Sequence, residues 1–201
     1  MNNEQRSGED EDIIIERLDV QSLNIPELKI FKSSPRLDTR GHVSPSYNKL
    51  FFQELGIDFD IIHENHCVSP KQGTMRGFHY QLPPYGQAKF IQVLHGRILD
   101  VNLDLRQSSP TFGTHVAVEL SSDNWNHIFI PVGFAHCYCT LAPETEVMFK
   151  LGAPFAPRYA RGLAWDDPDL AITWPITSEQ VTILERDLHR PRFSELTDFY
   201  P

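Results

Sequence analysis

Arg76, His79 and Lys89 fall within one short stretch, Gly73-Thr-Met-Arg-Gly-Phe-His79-Tyr-Gln-Leu-Pro-Pro-Tyr-Gly-Gln-Ala-Lys89. An imidazole base, an ammonium and an anion-binding guanidinium are the parts needed to take a proton from a carbon beside a ketone and to hold the enolate that results. The stretch reads as two strand-like segments joined by a Pro-Pro-Tyr-Gly turn, which puts the three groups on adjacent strands. Taken alone, the same residues fit a polar hairpin on a β-protein, so the rest of the chain has to separate the two readings.

Such groups need a frame of closely packed strands. From 59 to 150 the sequence offers β-rich segments near 60–68, 74–81, 88–95, 97–105, 114–120, 127–130, 135–141 and 146–150, separated by Gly, Pro, Asn and Asp. Gly96 divides two of them, and Asp123-Asn124 fits a turn ahead of another. Strands recurring at about ten-residue spacing predict an all-β sandwich or barrel. Residues 45–54 predict a short helix starting after Ser44 or Ser46, and 177–188 one or two helical turns before Pro191. Residues 13–32 read as an opening strand or an arm exchanged with a partner chain. Residues 1–12, polar and acidic, read as a disordered tail, and 13–201 as one domain without repeats.

With 201 residues, 40% of them hydrophobic and 22% charged, the chain has the composition of an ordinary globular protein. A net charge of −9 argues against a nucleic-acid or anionic-membrane surface, although a few pocket cations suffice for an anionic ligand. No apolar run approaches the roughly 18 residues of a membrane span, and no signal-peptide core is visible, so a cytoplasmic setting is expected. Cys67, Cys137 and Cys139 are odd in number. In a strand, Cys137 and Cys139 share a face with Tyr138 on the other, and without finger-like spacing of further ligands all three read as plain thiols.

Ile130-Pro-Val-Gly-Phe-Ala-His136 fits the Pro-x-Gly-x-x-His motif of cupins, a turn that delivers a His into a barrel. Metal-binding cupins also carry His-x-His, and the corresponding place here is His79-Tyr80-Gln81, so no metal is expected and a metal-dependent dioxygenase is disfavoured. Over nearly the whole chain beyond the tail, the sequence resembles the dTDP-4-dehydrorhamnose 3,5-epimerase family. The matching segments include Asp38-Thr-Arg-Gly41, Glu64-Asn-His66, Gly73 to Gln81, Gln87-Ala-Lys89, Asp100-Val-Asn-Leu-Asp104, Ser109-Pro-Thr-Phe-Gly113, Ile130 to His136, Gly162-Leu-Ala-Trp-Asp-Asp-Pro168, Ile172-Thr-Trp-Pro175 and Arg186-Asp187.

The resemblance implies a cupin jelly-roll with a few short helices, a homodimer formed by N-terminal strand exchange, and no cofactor. It implies a nucleotide-diphospho-4-keto-6-deoxy sugar substrate, inverted beside its ketone through an enolate, in surface-polysaccharide or deoxysugar biosynthesis. It makes His79 the base, Asp187 the carboxylate that orients it, and Lys89 the oxyanion stabiliser. Arg76, His136 and Asp100 match pocket positions, Arg40 a position on the diphosphate, and His66, Phe149 and Phe155 further substrate contacts. Read without the family, Asp187 next to Arg186 fits a surface ion pair, Asp100 a structural partner of a His or Arg, and His136 a core histidine; Trp165 and Trp174 read as core.

The sequence departs from the family where its acid belongs. A Tyr is expected in a Leu-Tyr-Lys motif, and the segment here is Val147-Met148-Phe149-Lys150. A Tyr-Tyr pair expected before a Pro is replaced by Pro154-Phe155-Ala-Pro157, and His42-Val-Ser-Pro-Ser follows Gly41. Three outcomes stay open: inversion of a single carbon with water or another side chain returning the proton, a phenol relocated elsewhere, or a nucleotide-sugar-binding or keto-isomerising cupin without epimerase chemistry. Tyr138 shares a strand face with His136 and is the candidate for the relocated acid, its alternative being a core Tyr bonded to backbone. GDP-, CDP- and UDP-linked sugars, heptoses included, remain compatible with the altered base-side residues.

Overall fold

The computed structural model describes residues 15–201, so the acidic segment 1–12 and the first two residues of the opening arm lie outside the described residues. The strands are β1 Asp19–Ser22, β2 Lys29–Lys32, β3 Arg36–Asp38, β4 Gly41–Val43, β5 His63–Ser69, β6 Met75–Gln81, β7 Lys89–His95, β8 Arg97–Asp104, β9 His115–Ser121, β10 Asn126–Ile130, β11 Phe134–Thr140, β12 Thr145–Leu151 and β13 Ala160–Gly162. Every strand expected between 59 and 150 is present. Helices α1 Lys49–Glu54 and α2 Glu185–Leu188 are short, with three further single 3-10 turns. No helix among the described residues is long and apolar enough to cross a membrane.

The strands form a six-stranded sheet, β1-β2-β10-β7-β12-β5, and a five-stranded sheet, β13-β6-β11-β8-β9. This interleaving of β5–β12 between two sheets is the jelly-roll arrangement. Strand alternation sorts side chains into three apolar layers. Between the sheets lie Ile91, Val93, Ile98, Leu120, Ile128 and Val147. The outer face of the five-stranded sheet, with Phe78, Val101, Leu103 and Cys137, is covered by the C-terminal segment through Leu163, Trp165, Leu170 and Tyr200. The outer face of the six-stranded sheet packs Phe31, Phe90 and Phe129 against Phe51 and Phe52 of α1. The helix starts later than the serines suggest because Asn48 is the residue that caps it, its side chain accepting from Phe51 N.

Two differences from the sequence reading matter for the site. First, β6 and β7 are not paired: the Pro-Pro-Tyr-Gly turn carries the chain from one sheet to the other. His79 and Lys89 therefore face each other across the sandwich rather than lying on adjacent strands. Second, β6 carries a bulge. His136 pairs with His79 and Tyr138 with Arg76, so two steps along β11 match three along β6. Strict alternation would send Arg76 and His79 to opposite faces; the extra residue turns both inward. Gly77 absorbs it at φ 124, where a Cβ would run into the His136 carbonyl and stand 2.6 Å from Cys137 Cα. The β1–β2 hairpin lies on β10 of its own chain.

Candidate active site

An open cavity of about 650 Å³ runs between the sheets, lined from β5, β6, β7, β11, β12 and the segment around α2. Lys71, Arg76, Lys89, Arg161, Arg186 and Arg190 face it, with Asp187 the sole carboxylate among the described lining residues. In a chain of net charge −9, that concentration of cations marks a site for an anionic ligand.

His79 is half-exposed on β6, and its Nε2 lies 3.0 and 3.1 Å from the two carboxylate oxygens of Asp187. A carboxylate only accepts, so Nε2–H donates and Nδ1 keeps the free lone pair. Asp187 is the buried residue of α2 and also accepts from Arg190 Nε at 3.2 Å, while the exposed Arg186 stays 3.8 Å away. Burial raises the Asp187 carboxyl pKa, but the hydrogen bonds and charges of His79 and Arg190 outweigh it and leave the pKa below its ordinary value. The surface ion pair with Arg186 is thus a minor contact.

Lys89 is buried on β7 and its Nζ donates to the His79 carbonyl at 3.1 Å. Burial brings its pKa down to about 8, against an opposing pull from Asp100. His136 Nε2 donates to Asp100 at 2.7 Å, and Asn102 donates to the other oxygen of Asp100 at 2.7 Å. Burial lowers the His136 pKa despite Asp100, with nearby Lys89 and His79 pushing the same way, so the ring is neutral and its second nitrogen is free. Two carboxylate-backed imidazoles, on register-paired residues of β6 and β11, and the buried ammonium of Lys89 therefore share one cavity.

Tyr138 and Phe149 complete the inner wall; Phe149 lies with its ring centroid 5.9 Å from His136 and 5.8 Å from Tyr138. Phe155 stands at the mouth, 65% exposed. Three of the expected site residues are placed elsewhere. Asp100 is sealed under His136 and does not line the cavity, which corrects it from substrate contact to the partner that holds that ring. His66 points to the outer face of β5, bonded to Glu146 at 2.9 Å, because alternation turns His63, Asn65, Cys67 and Ser69 inward instead. Arg40 lies on the exposed β3–β4 hairpin, paired with Asp38 at 2.6 Å, away from this chain's cavity.

Sequence reasoning passed over Asn65, Ser69, Arg161 and Arg190. The period-two pattern of β5 would have exposed the first two, but the two arginines come from β13 and the segment after α2, which sequence spacing cannot bring to a cavity. Among the described residues no group of three His, Cys, Asp or Glu could hold a metal ion.

A carboxylate-oriented imidazole facing a buried ammonium, inside a cation-lined jelly roll, defines an acid–base enzyme of the isomerase class built on a cupin-type fold. Residues 22–195 match the family model described as dTDP-4-dehydrorhamnose 3,5-epimerase, and the chain belongs to that family. The dTDP-4-dehydrorhamnose 3,5-epimerase of Sinorhizobium fredii is 37% identical over 176 residues, covering 88% of this chain and 90% of the relative. The crystal structure of the Bacillus anthracis dTDP-4-dehydrorhamnose 3,5-epimerase with TDP and pyrophosphate bound superposes with a TM-score of 0.83 at 38% identity, covering 87% of this chain and 99% of that one. ChmJ of Streptomyces bikiniensis, a 3'-monoepimerase in complex with dTDP-quinovose, gives 0.78 at 28% identity, covering 86% of this chain and 87% of that one.

Proposed function

We propose that the protein epimerises a nucleotide-linked 4-keto-6-deoxy sugar, with a dTDP sugar first among the substrates, by removing the proton from C3 or C5 with His79. The observation that carries this reading is the His79–Asp187 pair, with its free Nδ1 in the cavity that Lys89 enters from the opposite sheet. Asp187 fixes the tautomer and stabilises the imidazolium that proton removal creates. Lys89, still charged at neutral pH, stabilises the enolate oxygen that replaces the ketone, an effect of several kcal/mol in a dry site. The cations around the mouth suit the diphosphate, and the exposed ring of Phe155 offers a face for the nucleotide base.

Phe149 has no proton to give, which favours inversion of a single centre, as ChmJ is described to perform. The same residue supports a second reading, a cupin that binds or keto-isomerises the sugar without inverting it. We read the protein as a homodimer in which Arg40 reaches the diphosphate in the partner's cavity. Arg40, Leu37 (81% exposed) and Val43 (59% exposed) stand on a two-stranded hairpin that meets the described residues of its own chain through His42 against Trp125 and Arg36 against Glu16.

Incubation with dTDP-4-keto-6-deoxyglucose and its GDP counterpart in deuterium oxide, followed by NMR at C3 and C5, tests the reading. Deuterium at one carbon, lost by at least about a hundredfold in His79→Asn, is the expected result. No exchange from any nucleotide 4-keto sugar, in a protein that still binds them, would leave only the binding function.

A further inference from the structure

Inversion needs a proton donor on the side of the sugar away from His79, and Phe149 cannot be it. Tyr138, on β11, is almost wholly buried and lines the cavity, its ring centroid 6.1 Å from His136 and 5.8 Å from Phe149. The groups that act on its hydroxyl come from both sheets: Arg76 from β6, and Cys67 and Ser69 from β5, the neighbour of the β12 strand that carries Phe149. The hydroxyl thus lies toward β5, where Arg76 of β6 reaches the Val68 carbonyl at 3.4 Å.

The environment of this hydroxyl sets it apart. Tyr80 Oη donates to the Asp198 carbonyl at 3.0 Å and Tyr200 Oη to the Gln81 carbonyl, as buried phenols ordinarily do. Tyr138 Oη, Ser69 Oγ and Arg76 Nε are buried without a well-formed hydrogen bond to any described residue, although Ser69 stands near enough to act on the Tyr138 hydroxyl. All three residues line the same cavity, and Arg76 is the register partner of Tyr138 across the β6 bulge. A buried donor without a partner costs about 1–3 kcal/mol. A core phenylalanine at 138 would avoid that, so a cluster of three such groups around one wall is the mark of a site rather than of packing. Burial pushes the phenol well above its ordinary pKa, with Arg76 and, more weakly, Ser69 pulling it back. The group is therefore fully protonated at neutral pH while its anion has a cation beside it.

Resting on the epimerase reading above, we propose that Tyr138 is the acid that returns a proton to the enolate from the β5 side of the cavity, with Arg76 and Ser69 as positioning residues for its hydroxyl. The Tyr138 O–H bond breaks as the new C–H bond forms. The phenolate left beside Arg76 then takes a proton from solvent, and the proton first taken by His79 leaves the imidazolium to solvent. The phenol has in effect moved from β12 to β11, delivering its proton from a different angle, which fits inversion of one centre.

The test separates proton removal from inversion. In deuterium oxide with dTDP-4-keto-6-deoxyglucose, Tyr138→Phe is expected to keep the His79-dependent exchange with retention, within about threefold of the parent, while formation of the inverted sugar falls about a hundredfold. Its thermal midpoint should drop little, because the lost hydroxyl makes no well-formed hydrogen bond and stands only near Ser69. Tyr138→Phe/Phe149→Tyr, with the phenol on β12, should regain inversion. Inversion at the parental rate in Tyr138→Phe would overturn the proposal and leave the epimerase reading intact. So would loss of exchange and inversion together with no recovery in the double variant. Absence of exchange in the parent protein would instead remove the epimerase reading itself.

Discussion

Lys89 is held where an ammonium is poorly solvated, and its position has opposite consequences for folding and for catalysis. Burial lowers its pKa from 10.5 to about 8, so between those values the unfolded chain holds a proton that the folded chain has released. Stability from this group therefore rises with pH across that window, and below about pH 8 the folded protein carries a penalty of about 3 kcal/mol. Lys89→Met should raise the urea midpoint at pH 7 and narrow the gap between pH 7 and pH 9.5. Turnover should move the other way: in the role proposed for Lys89, deprotonation removes the charge that would hold the enolate, so kcat/KM should fall as pH rises through about 8. A profile flat to pH 10 would mean that the charge of Lys89 is not used. At this scale the sequence was informative. His79, Lys89, His136 and Asp187 converge as their types suggested, whereas the ion pair that Asp187 could make with its neighbour Arg186 turns out to be its longest contact.

The strands set which of these side chains meet. Alternation in β11 was readable and correctly puts His136 and Tyr138 on one face with Cys137 and Cys139 on the other. Applied to β6 it fails, because the bulge at Gly77 adds a residue, and applied to β5 it would have removed His66 from the site in favour of Asn65 and Ser69. A glycine inside a strand pattern was the visible signal of the bulge. Gly77→Ala should therefore do more than a surface change: a positive φ and collision with the His136 carbonyl predict a loss of at least about 2 kcal/mol in urea unfolding. Activity in whatever protein folds should fall further, since Arg76 and His79 keep a common face only through this residue. A variant within about 0.5 kcal/mol of the parent and fully active would show that the bulge does not depend on glycine. The partner of β6 was beyond sequence reasoning for another reason. A Pro-Pro-Tyr-Gly turn fits a hairpin and a sheet-to-sheet crossing alike, and only the packing of the strands around β10, β7 and β12 selects the second.

Of the family-matched residues that lie outside the cavity, Arg40 is the one on an exposed hairpin well apart from it. Arg40 sits with Asp38 on the β3–β4 hairpin, and exposed Leu37 and Val43 flank it. Two three-residue strands have little stability alone, and apolar side chains at both ends of such a hairpin are better explained by a covering surface than by solvent. In a two-fold dimer each hairpin would meet the other chain, so every complete site would combine His79 of one protomer with Arg40 of the next. Co-expression of Arg40→Ala and His79→Asn chains discriminates this arrangement from one in which Arg40 serves its own chain. Each variant alone should be nearly inactive when assayed below KM. Random pairing makes half the dimers mixed, and in each mixed dimer one site has both residues and the other neither, so about a quarter of the sites should recover. Recovery near that level would place Arg40 in the partner's cavity. Failure to recover, in a preparation shown by mass to contain the mixed dimer, would mean that Arg40 contributes nothing across the interface and that its loss acts through its own chain.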